Sequence, residues 1–462
     1  MNENLEINYK TNSFLYDVSL NKKFSYDYLN DIYGFQTLTS KEKKPVFLIA
    51  DNSIEFIISY VNLLKENFLL ILINKNISKE QLEKLIKVYE PYLICMKTFG
   101  NFSLKNYKIE KKIFRSVIFK KKNKFSYKIH NLNKLLLSTS GTTGSSKFVR
   151  LSLENLNFNS NSIIKSLNIK KNHTTITTLP SDYTLGLSVI NTHLKVGSSI
   201  VLNDHSFFEK KFWDLIQEKK VNSFTGVPVS FEILKKIDFK KFNLNSIKYI
   251  SQAGGAISKE MHKYMNNICE KKKIKFFPMY GSTEATARIS ILDWKFRKKI
   301  GSVGKPLDQT SVKLIQNKKI FNRILFKGKN VSLGYAKNLN DLKNGNINRG
   351  KVLMDDIGKI DKDGFLYILG KKSRFVKLHG LRINLDEIQD LLASLKILSK
   401  CVFKNNKLII FLLNKKLINR ARLFIIKNLK INPIHFKINI LKKFPINKNK
   451  KVDFIALENY ES

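Results

Sequence analysis

The stretch PVFLIADNSIEFIISYVNLLKENFLLILI, residues 45–73, decides the fold class. VFLIA is an apolar run of strand length, SIEFIISYVNLL has the apolar spacing of an amphipathic helix, and FLLILI is a second buried strand. KEQLEKLIKVYE continues as a helix and PYLICM as a strand. Strands that alternate with helices build βαβ units and a largely parallel sheet. Outward from this stretch the alternation resumes around TTITTLP, GSSIVL, NSFTGVP and IKYISQAGG. After Gly370 the strands and helices shorten, as in a small separate domain. The expectation is an α/β protein with a large N-terminal domain of βαβ-rich subdomains over residues 1–370 and a small C-terminal α/β domain over 371–462. Residues 119–125, FKKKNKF, read as a solvated connection, and no internal repeat is visible.

Composition agrees with a globular, multi-domain chain. The 462 residues suit two to four folded units at about 150 residues each, and 43% hydrophobic content excludes a disordered or fibrous class. The outlier is a net charge of +46. Ten of the 83 basic residues are Arg and the rest are Lys, spread from end to end. Lys, Asn, Ile, Phe and Tyr are all abundant, and their codons are largely A and T. Base composition therefore accounts for most of the charge. A nucleic-acid binder is expected to use Arg forks and to place charge on one face, so no nucleic-acid partner is expected. Cys95, Cys269 and Cys401 are far apart and form no CxxC, which argues against disulfides and zinc. The apolar runs at 68–73 and 408–413 fall far short of the ~18–20 residues that span a bilayer. MNENLEINYK lacks the pattern of a signal peptide. A cytoplasmic protein with no membrane span is expected.

Two stretches carry chemistry. In LLLSTSGTTGSSKFVRLS (135–152) an apolar strand runs into Thr139, Ser140, Gly141, Thr142, Thr143, Gly144, Ser145, Ser146 and Lys147. Glycines let backbone N–H groups turn inward around an anion, hydroxyls add donors, and Lys147 adds charge. The spacing is not that of a P-loop, and a polar hairpin turn is the plain alternative. In FFPMYGSTEATAR (276–288) Tyr280 and Gly281 precede Thr283, a hydroxyl for a phosphate, and Glu284, a hard oxygen for Mg²⁺. The Tyr280 ring offers a surface on which a base can stack. Upstream, Gly254 and Gly255 of SQAGGAIS follow a strand where backbone can approach a planar base. Alone, YGSTE is as readily a plain loop; in order after the first stretch it is a strong signal.

In this order the motifs resemble the adenylate-forming superfamily of acyl-CoA synthetases, peptide-synthetase adenylation domains and luciferases. The match continues through LPSDYTLGLS (179–188), TGVPVSFEIL (225–234), GSVGKPL (301–307), KGKNVSLGYA (327–336), DDIGKIDKDGFLYILGKKSRFVKLHGLRINLDEI (355–388) and PINKNKKVD (445–453). LGLSVINTHL and QAGG are further similar to acyl-CoA synthetase-like ligases of bacterial polysaccharide gene clusters. The resemblance implies a ligase that uses ATP and Mg²⁺. A carboxylate oxygen attacks the α-phosphate, pyrophosphate leaves, and a thiol of coenzyme A or of a phosphopantetheine arm then displaces AMP to give a thioester.

The resemblance also implies residue roles. The loop 139–147 holds the β- and γ-phosphates, Thr283 meets the α-phosphate, Glu284 holds the metal, Asp356 accepts from the ribose hydroxyls, and Lys371 stands beside it. Lys451, framed by Pro445 and Val452-Asp453, matches the C-terminal catalytic lysine; without that frame it reads as a solvated lysine. The small C-terminal domain is mobile and closes in two orientations, the second removing Lys451 and bringing in the loop of Lys377 and Gly380. The acid pocket lies between Tyr183, Ser188, Val227 and Ala253, with an ordinary core aromatic as the plain reading of Tyr183.

Four departures stand out. Met354-Asp355-Asp356 replaces Thr-Gly-Asp, making a small turn bulkier and more acidic. Lys371 replaces an Arg, Ser373 replaces a hinge Asp or Lys, and Lys450 replaces a Gly. They keep open a second reading, a degenerate nucleotide-binding homologue without turnover. The expected partners are a small carboxylic acid and a coenzyme A thiol or an acidic acyl carrier protein.

Overall fold

The computed structural model describes residues 4–30, 35–38, 42–97, 104–122, 125, 127–138, 147–317, 321–378, 381–429, 431–447 and 452–460. The alternation at 45–97 forms as expected. Strands Lys44–Ala50, Phe68–Asn74 and Leu93–Lys97 are parallel, with helices Ile54–Lys65 and Lys79–Tyr89 between them. Ser53 and Ser78 start those helices by accepting from the backbone N–H of Phe56 and Gln81, which satisfies donors that have no intrahelical partner. Phe68–Asn74 is buried along its whole length, as a central strand covered on both faces should be.

Among the described residues there are five sheets. One has eight strands, with Leu135–Ser138 parallel to Phe68–Asn74 and antiparallel to Phe148–Leu151, which in turn pairs Gly334–Ala336. The Gly/Thr/Ser stretch therefore joins two antiparallel neighbours, with Ser138 opposite Phe148. A second sheet has nine strands, and its parallel centre runs from Phe14–Asp17 through Ser199–Leu202, Thr174–Ile176, Ser223–Gly226 and Tyr249–Gln252 to Lys275–Tyr280. A four-stranded antiparallel sheet follows, made of Ser311–Asn317, Phe321–Lys327, Lys351–Ile360 and Leu366–Lys371. The C-terminal part has its own core of Leu385, Ile388, Leu392, Cys401, Leu408 and Ile425.

Two local expectations change. Phe119, Lys120 and Lys121 are not in a solvated connection: they end the strand Ser116–Lys121, with Phe119 buried against the helix-flanked sheet. Ser116 to Phe119 are buried on both faces of that strand, and the two lysines only end it. Likewise Met354-Asp355-Asp356 is no turn but part of the strand Lys351–Ile360; pleat alternation turns Met354 into the core beside Phe326 and Leu366.

Among the described residues no helix is long and apolar enough to cross a membrane. All three cysteines are buried and free. No group of three His, Cys, Asp or Glu side chains there is arranged to hold a metal ion.

Candidate active site

The carboxyl ends of the parallel strands gather the residues of interest. Val227 follows Ser223–Gly226, Ala253 and Gly254 follow Tyr249–Gln252, and Gly281 to Glu284 follow Lys275–Tyr280. Side chains from successive strands meet there because each strand ends at the same edge of the sheet.

Tyr280 is 9% exposed, and its hydroxyl donates to Asp356 Oδ2 at 2.6 Å across 76 residues of sequence. Lys371 lies directly opposite Asp356 in the antiparallel pairing, next to a bulge where Gly370 takes a positive φ of 136°. Burial raises the Asp356 pKa, against the Tyr280 hydrogen bond and the Lys371 charge, which lower it. Burial and the facing Asp356 carboxylate hold the Tyr280 phenol well above its ordinary range. The Tyr280 phenol therefore keeps its proton and donates it to Asp356.

The next turn holds Thr283 and Glu284. Thr283 is buried, and its hydroxyl accepts from Thr184 Oγ1 at 2.9 Å. Glu284 Oε1 accepts from the Tyr335 hydroxyl at 2.8 Å, and the Lys147 ammonium stands 3.7 Å from the centre of the Tyr335 ring. Among the described residues Glu284 Oε2 has no partner. One free carboxylate oxygen is what a phosphate-borne Mg²⁺ needs, since that ion takes one or two carboxylates and fills its shell with phosphate and water.

Tyr183 caps the helix Thr184–Val196 and belongs to one apolar cluster with Val227, Ala253 and Met279. Gly254, at φ 80°, closes on it: a Cβ there would stand 2.6 Å from the Tyr183 hydroxyl and 3.1 Å from Val227 Cγ1. Gly255 packs on Pro228. Ser188 sits one turn into the same helix and lines a narrow crevice with Thr192, Thr225 and Arg288.

Lys377 lies on the strand Phe375–Leu378, which pairs with Leu381–Asn384, away from these residues in sequence and sheet. Thr139, Ser140, Gly141, Thr142, Thr143, Gly144, Ser145, Ser146, Gly380, Lys450 and Lys451 lie outside the described residues. The frame of Lys451 is described: the Asp453 N–H donates to the Pro445 carbonyl at 2.8 Å, and Ile446 bridges Val452.

Sequence reasoning passed over three residues of this neighbourhood, Thr184, Tyr335 and Arg288. All three fall inside quoted motifs, yet their roles depend on contacts 51 to 99 residues away for Tyr335 and Thr184. Spacing along the chain carries no sign of such contacts.

Known proteins resemble this chain in sequence and fold. The chain is 28% identical over 260 residues to the 2-succinylbenzoate--CoA ligase of Listeria innocua serovar 6a, covering 56% of this chain and 53% of that protein. It is 30% identical over 276 residues to probable 4-coumarate--CoA ligase 2 of Dictyostelium discoideum, covering 57% and 50%. The aligned part thus spans about half the length of these relatives. O-succinylbenzoate coenzyme A synthetase of Bacillus subtilis, solved in complex with ATP and magnesium ion, superposes with a TM-score of 0.73 at 19% identity over 95% of both chains. The fold is therefore that of the adenylate-forming enzymes, with a large N-terminal and a smaller C-terminal domain. Residues 34–336, about two thirds of the chain and most of the side chains described above, match the family described as AMP-binding enzyme, and this protein belongs to it.

Proposed function

We propose that the protein activates a carboxylic acid with ATP and passes the acyl group to a thiol. The observation that carries this reading is the Tyr280–Asp356 pair with Thr283 and Glu284 on the adjoining turn, a set drawn from two distant motifs. In this reading Asp356 accepts from the ribose hydroxyls, aided by Lys371. Thr283 and the loop from Thr139 to Lys147 receive the phosphates. Glu284 holds the Mg²⁺ that arrives with ATP; when bound, the ion neutralises phosphate charge as pyrophosphate departs. Lys451 bridges the attacking carboxylate and the α-phosphate, and the acid lies along Tyr183, Ser188, Val227, Ala253 and Gly254. The domain boundary falls at residues 370/371, and reorientation there exchanges Lys451 for the stretch of sequence that carries Lys377 and Gly380. Membership in the family and the CoA ligases among the relatives support this reading.

Acid-dependent exchange of labelled pyrophosphate into ATP tests it, across a panel of carboxylic acids. Exchange with some acid is expected. Exchange with none points instead to the degenerate nucleotide-binding homologue, a reading that Lys371 keeps alive because an ammonium lacks the planar fork of the usual Arg.

Nucleotide binding should report on Asp356. Its raised pKa means that the folded protein holds more protons than the unfolded chain between the ordinary Asp value and the raised one. Its contribution to stability therefore falls as pH rises through that window. Protonation removes an acceptor for ribose, so AMP affinity should fall on acidification by up to about tenfold per pH unit. Tyr280→Phe deletes a hydrogen bond that lowers the Asp356 pKa and should move this acid limb to higher pH, whereas Asp356→Asn should bind weakly with no such limb. Calorimetric titration with AMP from neutral to acidic pH checks this. An acid limb in Asp356→Asn equal to that of the parent chain would remove the assignment.

The thiol is either coenzyme A or a carrier arm. A net charge of +46 suits an acidic carrier protein in the cytoplasm, where buried, free cysteines are stable. Raising salt through the physiological range should then slow transfer to a carrier severalfold and leave transfer to coenzyme A nearly constant. Equal salt response for both acceptors rules out electrostatic docking.

A further inference from the structure

We propose that Thr184 is a positioning residue for the α-phosphate of the nucleotide: by donating to the Thr283 hydroxyl, it turns that hydroxyl's single proton toward the phosphate. This rests on the reading that Thr283 meets the α-phosphate.

Both partners are buried, Thr184 at 5% exposure and Thr283 at 8%, and 99 residues of sequence separate them. Thr184 opens the helix Thr184–Val196, directly after Tyr183. The first turn of that helix is held hard against the loop before it. The Tyr183 N–H donates to the Pro180 carbonyl, and a Cβ at Gly186 would stand 2.2 Å from the same oxygen. The Thr184 side chain therefore starts from a fixed backbone.

The backbone of Thr283 is fixed as well. The N–H groups of Ala285 and Ala287 both donate to the Ser282 carbonyl, and that of Thr286 donates to the Thr283 carbonyl. Asn330 Nδ2 ties the far side of the turn by donating to the carbonyls of Ala285 and Arg288. Just before it, a Cβ at Gly281 would stand 1.7 Å from the Ala287 carbonyl oxygen, so only glycine fits there. A threonine adds a stiff χ1 of its own. The Thr283 oxygen thus has its place, and only the direction of its O–H remains to be chosen.

A hydroxyl has one proton and two lone pairs. Pointing the other way, Thr283 would spend its proton on Thr184 and turn lone pairs toward the phosphate oxygens, which repel them. As it stands, Thr184 donates at 2.9 Å, one lone pair is taken, and among the described residues the Thr283 proton has no acceptor. Accepting one hydrogen bond also polarises the O–H and strengthens the bond that it donates. Thr184 acts through Thr283 and not on the nucleotide itself.

Titration calorimetry of the full chain with AMP and with adenosine isolates the phosphate, the one group by which the two ligands differ. Thr184→Val keeps the shape and removes the donor. It should lower AMP affinity by about fivefold to tenfold and adenosine affinity by less than about twofold. Thr184→Ser keeps the hydroxyl and should stay within about twofold of the parent chain for both ligands. Thr283→Val should lower AMP affinity at least as far, and adding Thr184→Val to it should cost nothing more, because the hydroxyl to be oriented is gone. In pyrophosphate exchange the loss from Thr184→Val should fall on kcat more than on the KM for ATP.

Equal losses for AMP and adenosine would make Thr184 a support of the fold and overturn the proposal, as would a Thr184→Ser that binds AMP no better than Thr184→Val. Unchanged AMP affinity in Thr283→Val, or a parent chain that does not distinguish AMP from adenosine, removes Thr283 from the phosphate and Thr184 with it. If Thr283→Val weakens AMP selectively and Thr184→Val does not, the phosphate contact stands and the positioning role falls. The expected AMP pattern in a chain that exchanges no pyrophosphate leaves the positioning role standing and removes the adenylation reading.

Discussion

Replacing Glu284 by Gln is expected to lower acid-dependent pyrophosphate exchange by about 10²–10³-fold, with AMP affinity changed by no more than severalfold. Gln can still accept from the Tyr335 hydroxyl, so the 2.8 Å contact and the local packing survive. What disappears is the charge on the oxygen that has no partner among the described residues. AMP lacks the β- and γ-phosphates and does not need a metal there, which is why its binding is the control. The signature is a Mg²⁺ requirement shifted to higher concentration. Unchanged Mg²⁺ dependence in Glu284→Gln would take the metal away from this residue.

The same corner explains what Tyr335 contributes. Its face receives the Lys147 ammonium and its hydroxyl meets the Glu284 carboxylate, so one ring stands between opposite charges. Without the ring, Lys147 and Glu284 are free to pair directly and to spend on each other the charges that phosphate and metal need. Arg150 fixes the ring's backbone by donating to the Tyr335 carbonyl. A buried clamp with five contacts thus holds an exposed tyrosine that spaces two half-buried charges.

How much of this was legible beforehand depends on how local each feature is. The alternation at 45–97 was readable because period and run length are properties of adjacent residues, and helices and strands formed where they were expected. Tyr280, Thr283 and Glu284 were legible because they share one short motif. The Tyr280–Asp356 hydrogen bond was not, since it joins the end of a strand in one sheet to the middle of a strand in another. Lys371 meets Asp356 only through a register that a bulge at Gly370 sets. Residues 354–356 looked like a turn from family wording, but pairing with Phe321–Lys327 and Leu366–Lys371 keeps them extended. Arg288 was quoted and passed over, because a charged residue after a polar loop ordinarily points to water. Its burial comes from the fold-back at Thr286 and Ala287, which no composition signals.

Replacing Lys451 by Ala is expected to reduce pyrophosphate exchange by about 10²–10³-fold while thioester formation from preformed acyl-adenylate falls no more than severalfold. The two half-reactions should separate because the lysine is needed only where negative charge accumulates between carboxylate and α-phosphate. Local structure supports a fixed base for it. Asp453 Oδ1 accepts from the Ala456 N–H and starts the helix Phe454–Glu458, while its own N–H donates to the Pro445 carbonyl. Ile446 and Val452 bridge just inside that bond, so both ends of the segment carrying Lys451 are tied together. Lys450, where the family has Gly, adds a second ammonium beside the first. Lys450→Gly should therefore change exchange little, which distinguishes a specific lysine from general positive charge. Equal loss in both half-reactions of Lys451→Ala would mean that the residue supports the fold or both chemistries. Exchange that survives Lys451→Ala would leave the Pro445 and Val452-Asp453 frame without its catalytic residue. Between those outcomes, only selective loss of adenylation fits a C-terminal domain that brings this lysine to the nucleotide for one step and withdraws it for the next.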